Sequence, residues 1–291
     1  MAHIKLLYCV EYSMGVVSHF KHCMRKGILT VLSLFIVAFS FGQNPEELNQ
    51  KSKEFIKIND FQSALPLIKE AAQKGNAEAQ CNYGIAFQKG IIVPHNDSIA
   101  FYWFLKSANQ NWAKGQWRLA TCYMESTFLK PDFTKAFYWI QKCAYQGEPQ
   151  CMWNLSGGYE FGMGIKQNMD SMLYWQTAVA KLRTSQIDND DKYIIAQARV
   201  NLAEWYRDGY KKIEKNNLKS YLWFLLYNED KKYLLDLDPE ENQKAQEKQI
   251  DAIKELAKGL SDEEKQIAIK TAETLLQNKL RNLDKLYTVA K

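Results

Sequence analysis

GQWRLATCYMESTFLKPDFTKAFYWIQKCAYQG, residues 115–147, decides the fold, because the chain says it more than once. Residues 79–111 read AQCNYGIAFQKGIIVPHNDSIAFYWFLKSANQN, and residues 151–182 read CMWNLSGGYEFGMGIKQNMDSMLYWQTAVAKL. Trp103, Trp139 and Trp175 are spaced by 36 residues, and so are Phe87, Tyr123 and Tyr159. Tyr83, Leu119 and Leu155 keep the same register, as do Ala108, Ala144 and Ala180. Composition alone does not align four columns, so the spacing marks tandem structural units. Ala79, Tyr83 and Phe87 fall every fourth residue, one stripe of a helix A. Ala100, Trp103 and Ala108 share a face of a helix B, where small residues admit a neighbour and Trp fills the gap. Gly90, or Gly162 with Gly164, closes helix A. Asn96, Asp132 and Asn168 are residue types that cap the start of helix B. A lone helix pair cannot bury both faces. The pairs are therefore expected to stack as an all-α, right-handed α-solenoid of antiparallel helix pairs.

Working outward, AQARVNLAEWYRDGYKKIEKNNLKSYLWFLLYNED from Ala196 repeats the pattern after an insertion around residues 184–194. Asp60 and Ala64 lie 36 residues before Asn96 and Ala100, so NDFQSALPLIKEAAQKG ends a degenerate first unit whose helix A would be 44–58. That gives about five pairs over 43–230. Past Asp230 the register is lost. Residues 231–238 read as a connector, and 231–291 as a closing helical cap, with Ser261 and Glu264 forming a capping box. The last stretch, 280–291, is expected to fray.

The units resemble the Sel1-like repeat, a relative of the tetratricopeptide repeat. Leu155, Tyr159, Gly162 and Gly164 match the first half of that family's pattern, and Asp132, Lys135, Ala136, Trp139, Lys142, Ala144 and Gly147 the second half. The resemblance covers about residues 44–230. It implies a binding scaffold whose A helices line a concave groove, set in a Gram-negative envelope.

The N-terminus adds an address. Met24-Arg25-Lys26-Gly27 precedes the apolar, charge-free run 28–39, and Ser40 and Gly42 put small residues before Gln43. Together these read as a secretory signal peptide cleaved between Gly42 and Gln43, which makes the protein periplasmic or secreted. The rival reading is an uncleaved signal anchor, but a bilayer span needs about 20 apolar residues. The prefix 1–23 carries Glu11 and lacks the pattern, which favours a start at Met24 or Met14. Beyond residue 42 the chain holds 34 basic and 32 acidic side chains, a balance that excludes a basic nucleic-acid footprint.

Catalytic chemistry is poorly supplied. His95 is the single histidine after residue 42, and no nucleophile motif accompanies it. The chain is therefore read as no enzyme, with no metal and no cofactor. Gly157-Gly158 lies inside a helix A and reads as close packing, not as a nucleotide loop. Cys81, Cys122, Cys143 and Cys151 lack a metal or redox spacing and fall in repeat columns, so they read as small buried residues in preference to disulfides. Cys143–Cys151, flanking one helix junction, is the best disulfide candidate. Some secreted relatives carry a regular disulfide in each repeat and are associated with penicillin binding. This chain departs from that arrangement.

Two columns offer binding chemistry. Asn82, Arg118, Asn154 and Asn201 recur at one helix-A position and form a polar ladder that can hold a peptide backbone, with Arg118 supplying charge. Tyr102, Tyr138 and Tyr174 each precede a Trp of helix B; they read as inter-helix packing first and as an aromatic strip for a partner or sugar second. The function expected is an exported scaffold that binds a protein or peptide partner in its groove. The alternative is an exported carbohydrate- or peptidoglycan-binding protein, or a weak hydrolase related to β-lactam chemistry.

Overall fold

The computed structural model describes residues 44–125, 127–187, 191–234 and 239–288. The segment read as a signal peptide lies outside them. The described residues are helical, apart from short turns and one isolated bridge between Tyr210 and Ile213. Two compact units divide at Gly75 and Asn76.

The first unit contains the pair α1 (Pro45–Lys57) and α2 (Phe61–Gln73). Asp60 caps α2 by accepting from the Ser63 amide at 3.1 Å. The second unit opens with three pairs: α3 (Ala77–Lys89) and α4 (Asp97–Asn109), α5 (Ala113–Glu125) and α6 (Phe133–Ala144), α7 (Pro149–Phe161) and α8 (Met169–Ala180). A fourth pair follows, α9 (Lys192–Asp208) and α10 (Asn217–Asp230), and then α11 (Pro239–Lys258) and α12 (Asp262–Leu276). Each helix packs on the next through the four pairs. Within this second unit α3 also lies against α5, and α7 against α9, which sets those A helices on the inner side of the stack.

Every A-to-B connection of the second unit is built the same way. The amides of Asn96, Asp132, Asn168 and Asn216 donate to the carbonyls of Phe87, Tyr123, Tyr159 and Tyr206 at 3.0, 2.8, 2.9 and 2.7 Å. The side chains of these four residues then accept from the amides three residues on, Ile99, Lys135, Ser171 and Lys219. One residue thus ends the loop and starts helix B. Gly162 supplies the left-handed turn after α7, at φ 70°.

Between helices, contact is set by small residues. Ser107, fully buried, donates to the Ala77 carbonyl at 2.7 Å and lies so near Gly115 that a Cβ on that glycine would come within 2.2 Å of the hydroxyl. One repeat later the same two columns hold Cys143 and Cys151, joined as a disulfide with Cα atoms 5.8 Å apart. The general expectation of unpaired small cysteines is thus corrected for this pair and holds for Cys81 and Cys122, which are buried free thiols. The physical reason is the junction: two adjoining columns that approach this closely bring two thiols within bonding range. Closing a loop of separation 8 stabilises the fold by roughly 2.5 kcal/mol in the chain-entropy model.

The insertion before the fourth pair forms a short 3-10 turn, Thr184–Gln186, and one extra turn at the start of α9 that buries Ile194 and Ile195. Arg199 of α9 is 1% exposed. Its guanidinium donates to the carbonyls of Ala180 at the end of α8 and Leu182 just beyond it at 2.9 and 3.0 Å, to Leu226 of α10 at 3.0 Å, and pairs with Asp230. Burial lowers the Arg199 pKa to about 10, which leaves it charged at neutral pH. The expected fraying of 280–291 is corrected for the described part. Lys231 donates to the carbonyls of Lys285 and Thr288, Asn228 to that of Asn282, and Glu229 accepts from the Asn282 amide at 2.7 Å. Ser261 and Glu264 form the expected capping box at the start of α12.

Adjacent glycines in α7 should respond oppositely to a methyl group. A Cβ on Gly158 would meet the Phe137 ring at 1.9 Å, whereas one on Gly157 meets nothing within 4 Å. Urea unfolding should show Gly158→Ala destabilised by about 1–3 kcal/mol. Gly157→Ala should gain up to about 1 kcal/mol. Equal effects would contradict this packing.

The free thiols predict an alkaline limit. Burial pushes both Cys81 and Cys122 up to about 12 from the ordinary 9.0. A group that holds its proton more tightly when folded stabilises the fold below its unfolded pKa, and the gain is lost as pH rises through the folded value. The unfolding midpoint should therefore fall as pH climbs from about 9 toward 12. A Cys81→Ala/Cys122→Ala variant should show a shallower fall.

Candidate functional site

Helical geometry decides which ladder atoms are accessible. Successive residues turn by about 100°, so positions i, i+4, i+7 and i+11 share a face. In α3 the residues that pack inward leave Glu78, Asn82, Ile85 and Lys89 on the open stripe. The equivalent stripe of α5 holds Lys114, Arg118, Thr121 and Glu125, and that of α7 holds Gln150, Asn154, Gly157 and Phe161. In α9 it holds Gln197, Asn201, Glu204 and Asp208. All four ladder residues are half-buried. The ladder is thus the centre line of the open faces of the A helices.

Its members differ in what they keep available. Asn154 donates to the Gln150 carbonyl at 2.7 Å, which leaves its carbonyl oxygen and one N–H. Asn201 accepts from Gln197 at 2.8 Å, which leaves its amide donors. Arg118 has no ion pair among the described residues. Its charge acts on the buried thiols of Cys81 and Cys122, where it opposes the upward push of burial. Gly157, one turn from Asn154, leaves open space above α7.

The tyrosine column sits on the opposite side of the pairs and is not buried between helices. Tyr102, Tyr138 and Tyr174 are 49%, 51% and 65% exposed. The Trp one residue on is rotated by about 100° into the helix interface, and the Tyr is rotated out of it. Each Tyr stands edge-on to that Trp, with ring centres 5.3, 5.1 and 5.3 Å apart. Sequence reading missed what lies beside them: the Lys106 and Lys142 ammonium groups sit 4.7 Å above the Tyr102 and Tyr138 rings. Their recurrence at 36 residues was the available signal. Tyr145 was missed because its column holds Asn109 in the preceding repeat.

His95 is exposed in the loop before α4, 3.2 Å from Asp97. Among the described residues there is no group of His, Cys, Asp or Glu with the arrangement of a metal site. Two open clefts have a volume of about 580 Å³, one bounded by Arg207, Asp208, Lys248 and Glu255 at the end of the α9 stripe, the other by Tyr123, Lys130, Asp132 and Gly164. Neither is bounded by a ladder residue.

A family model for the Sel1 repeat matches residues 77–112, 113–148, 149–175 and 196–226. These lie within the second unit; the α1–α2 pair, read as a degenerate unit, falls outside them. No curated protein matches the sequence. Among solved structures the chain is similar to a Sel1 repeat protein from Oxalobacter formigenes, with 20% identity, 82% of this chain and 92% of that one covered, and a TM-score of 0.58. It is also similar to a protective antigen of uropathogenic Escherichia coli with an SLR fold, at 18% identity, 84% and 55% coverage and a TM-score of 0.43. An immunity protein from Pseudomonas aeruginosa is similar at 12% identity, 83% and 86% coverage and a TM-score of 0.44. The first likeness shows an all-α solenoid, and four matched units in the register of the helix pairs say the rest: the chain belongs to the Sel1 repeat family.

Proposed function

We propose that the chain is an exported, non-catalytic scaffold that binds an extended segment of a protein partner along the open stripe of α3, α5, α7 and α9. The family mediates protein–protein interaction, which is the coarse part of this reading. The observation that carries the finer part is Arg118, a half-buried cation with no ion pair among the described residues, flanked along one line by Asn82 and Asn154. Amide side chains pair with a peptide's N–H and C=O groups, and the guanidinium takes a carboxylate with two parallel hydrogen bonds. Gly157 leaves room for the partner's side chain beside Asn154. Export is supported by the Cys143–Cys151 disulfide, because such bonds persist in oxidising compartments.

The groove is tested by affinity capture from envelope extract with the wild type, the Asn82/Arg118/Asn154 triple alanine variant, and Gly157→Trp. Losing the hydrogen bonds of one charged group weakens binding by about 10–100-fold, so a partner held by the wild type should be absent from the triple variant. Gly157→Trp fills the stripe without touching the core and should lose the same partner. Recovery of identical partners by three folded proteins overturns the groove.

Export is tested separately. N-terminal sequencing of protein secreted from cells should read Gln43-Asn44-Pro45. A mature chain that starts earlier contradicts cleavage at Gly42.

A further inference from the structure

The outer face of the B helices carries a second surface that the groove does not use. Along α4, α6 and α8 the exposed stripe repeats a Tyr, and a Lys follows four residues later in the first two repeats. Neither Lys106 nor Lys142 has a carboxylate partner among the described residues. In α8 the lysine position is Ala178, and Tyr174 is accordingly the most exposed of the three column tyrosines at 65%. There the surface gains another ring. Tyr145, 76% exposed at the end of α6, stands edge-on to Trp175 at 5.2 Å, and Tyr174 stands edge-on to the same indole at 5.3 Å. Two open phenol rings thus flank one buried indole, with Lys142 one turn behind Tyr145 and exposed Lys181 two turns beyond Tyr174. In the fourth repeat the column turns apolar: Leu226 occupies the lysine position and is buried in the core cluster that includes residues of α11 and α12. The Tyr–Lys face ends where the cap begins.

We propose that this face binds an acidic polysaccharide, with its main subsite at Tyr145 and Tyr174. Sugar rings present flat C–H faces that pack on aromatic rings, and uronate carboxylates pair with ammonium groups that rest on rings and have no carboxylate of their own among the described residues. A tyrosine that recurs over three successive helix pairs suits a polymer that repeats its own chemistry. The face does not suit a bilayer: interfacial helices bury large apolar side chains, and here the Trp rings turn inward. It does not suit the core of a protein interface either, from which Lys is depleted.

The test is affinity electrophoresis of the intact protein through gels containing polygalacturonate, neutral dextran or neither. Phosphatidylglycerol vesicles are assayed in parallel by co-sedimentation. The wild type should be retarded by polygalacturonate and not by dextran, and should not sediment with the vesicles. Tyr138→Ala/Tyr145→Ala/Tyr174→Ala should weaken retardation by roughly tenfold or more, as expected for lost ring contacts. Lys106→Gln/Lys142→Gln/Lys181→Gln should weaken it too and flatten its salt dependence. The Asn82/Arg118/Asn154 variant should bind as the wild type does, which separates this site from the groove. The single variant Tyr174→Ser, altering one exposed side chain, repeats the reading if the triple tyrosine variant loses helicity. The proposal is overturned by absent retardation, by unchanged binding in the tyrosine variants, or by vesicle binding as strong as binding to the polysaccharide.

Discussion

Close approach at the repeat junctions is the constraint on which the second unit rests. Where helix B of one pair meets helix A of the next, one column holds Ser107, Cys143 and Val179 and its counterpart Gly115, Cys151 and Ala198. All are buried. The same demand falls on Gly84 against Phe104 within a pair and on Gly158 against Phe137 across a junction, where a Cβ would come within 2.6 and 1.9 Å of the rings. With backbones that near, the space left for large side chains is narrow and recurs, so the Trp column repeats where small-residue columns repeat. The disulfide is one solution to the junction among several. It appears at the position where Ser107 and Gly115 reach contact without a bond.

The fourth pair solves a different problem, that of ending the stack. Both faces of α10 are buried, which requires an apolar outer face and partners for the helix's terminal carbonyls. Arg199 answers the second need by reaching the carbonyl ends of α8 and α10 together, a placement that suits a cation at helix C-termini. Asp230 offsets its charge and takes a hydrogen bond from Thr184 at 2.9 Å, tying the insertion to the same point. Removing one partner of such a pair leaves a buried charge, so the group stands or falls as a unit. Asn228, Glu229 and Lys231 then extend the arrangement to the segment 282–288 through side-chain-to-backbone bonds.

Periodic features were legible in the sequence because each had several copies to vouch for it. The Trp and Ala columns, the caps at Asn96, Asp132 and Asn168, and the helix pairs they bound all stand where the register puts them. Single features were not legible. Gly157 and Gly158 are identical in type, yet one helical step of about 100° separates open stripe from packed interior. Arg199 reads as one more polar residue in a helix, and only the meeting of two helix ends shows what it neutralises. Cys81 and Cys122 sit in columns as good as those of Cys143 and Cys151, and the distance between columns decided which pair could bond. The docked C-terminal segment relies on bonds to backbone carbonyls, and those carry no sequence signature.

The same geometry explains why both candidate binding surfaces are polar lines and not pockets. Once each of the helices α3 to α9 gives its inner faces to its neighbours, one stripe remains per helix, and stacking lays the stripes side by side. On the A helices that stripe carries amides and Arg118; on α4, α6 and α8 it carries phenols, with ammonium groups beside the first two. The first suits a backbone with alternating donors and acceptors, and the second suits apolar ring faces edged with negative charge. Substitutions on either stripe leave the junction columns untouched, because those columns face inward. A repeat fold can therefore change what one face binds while the other face, and the packing between them, stay as they are.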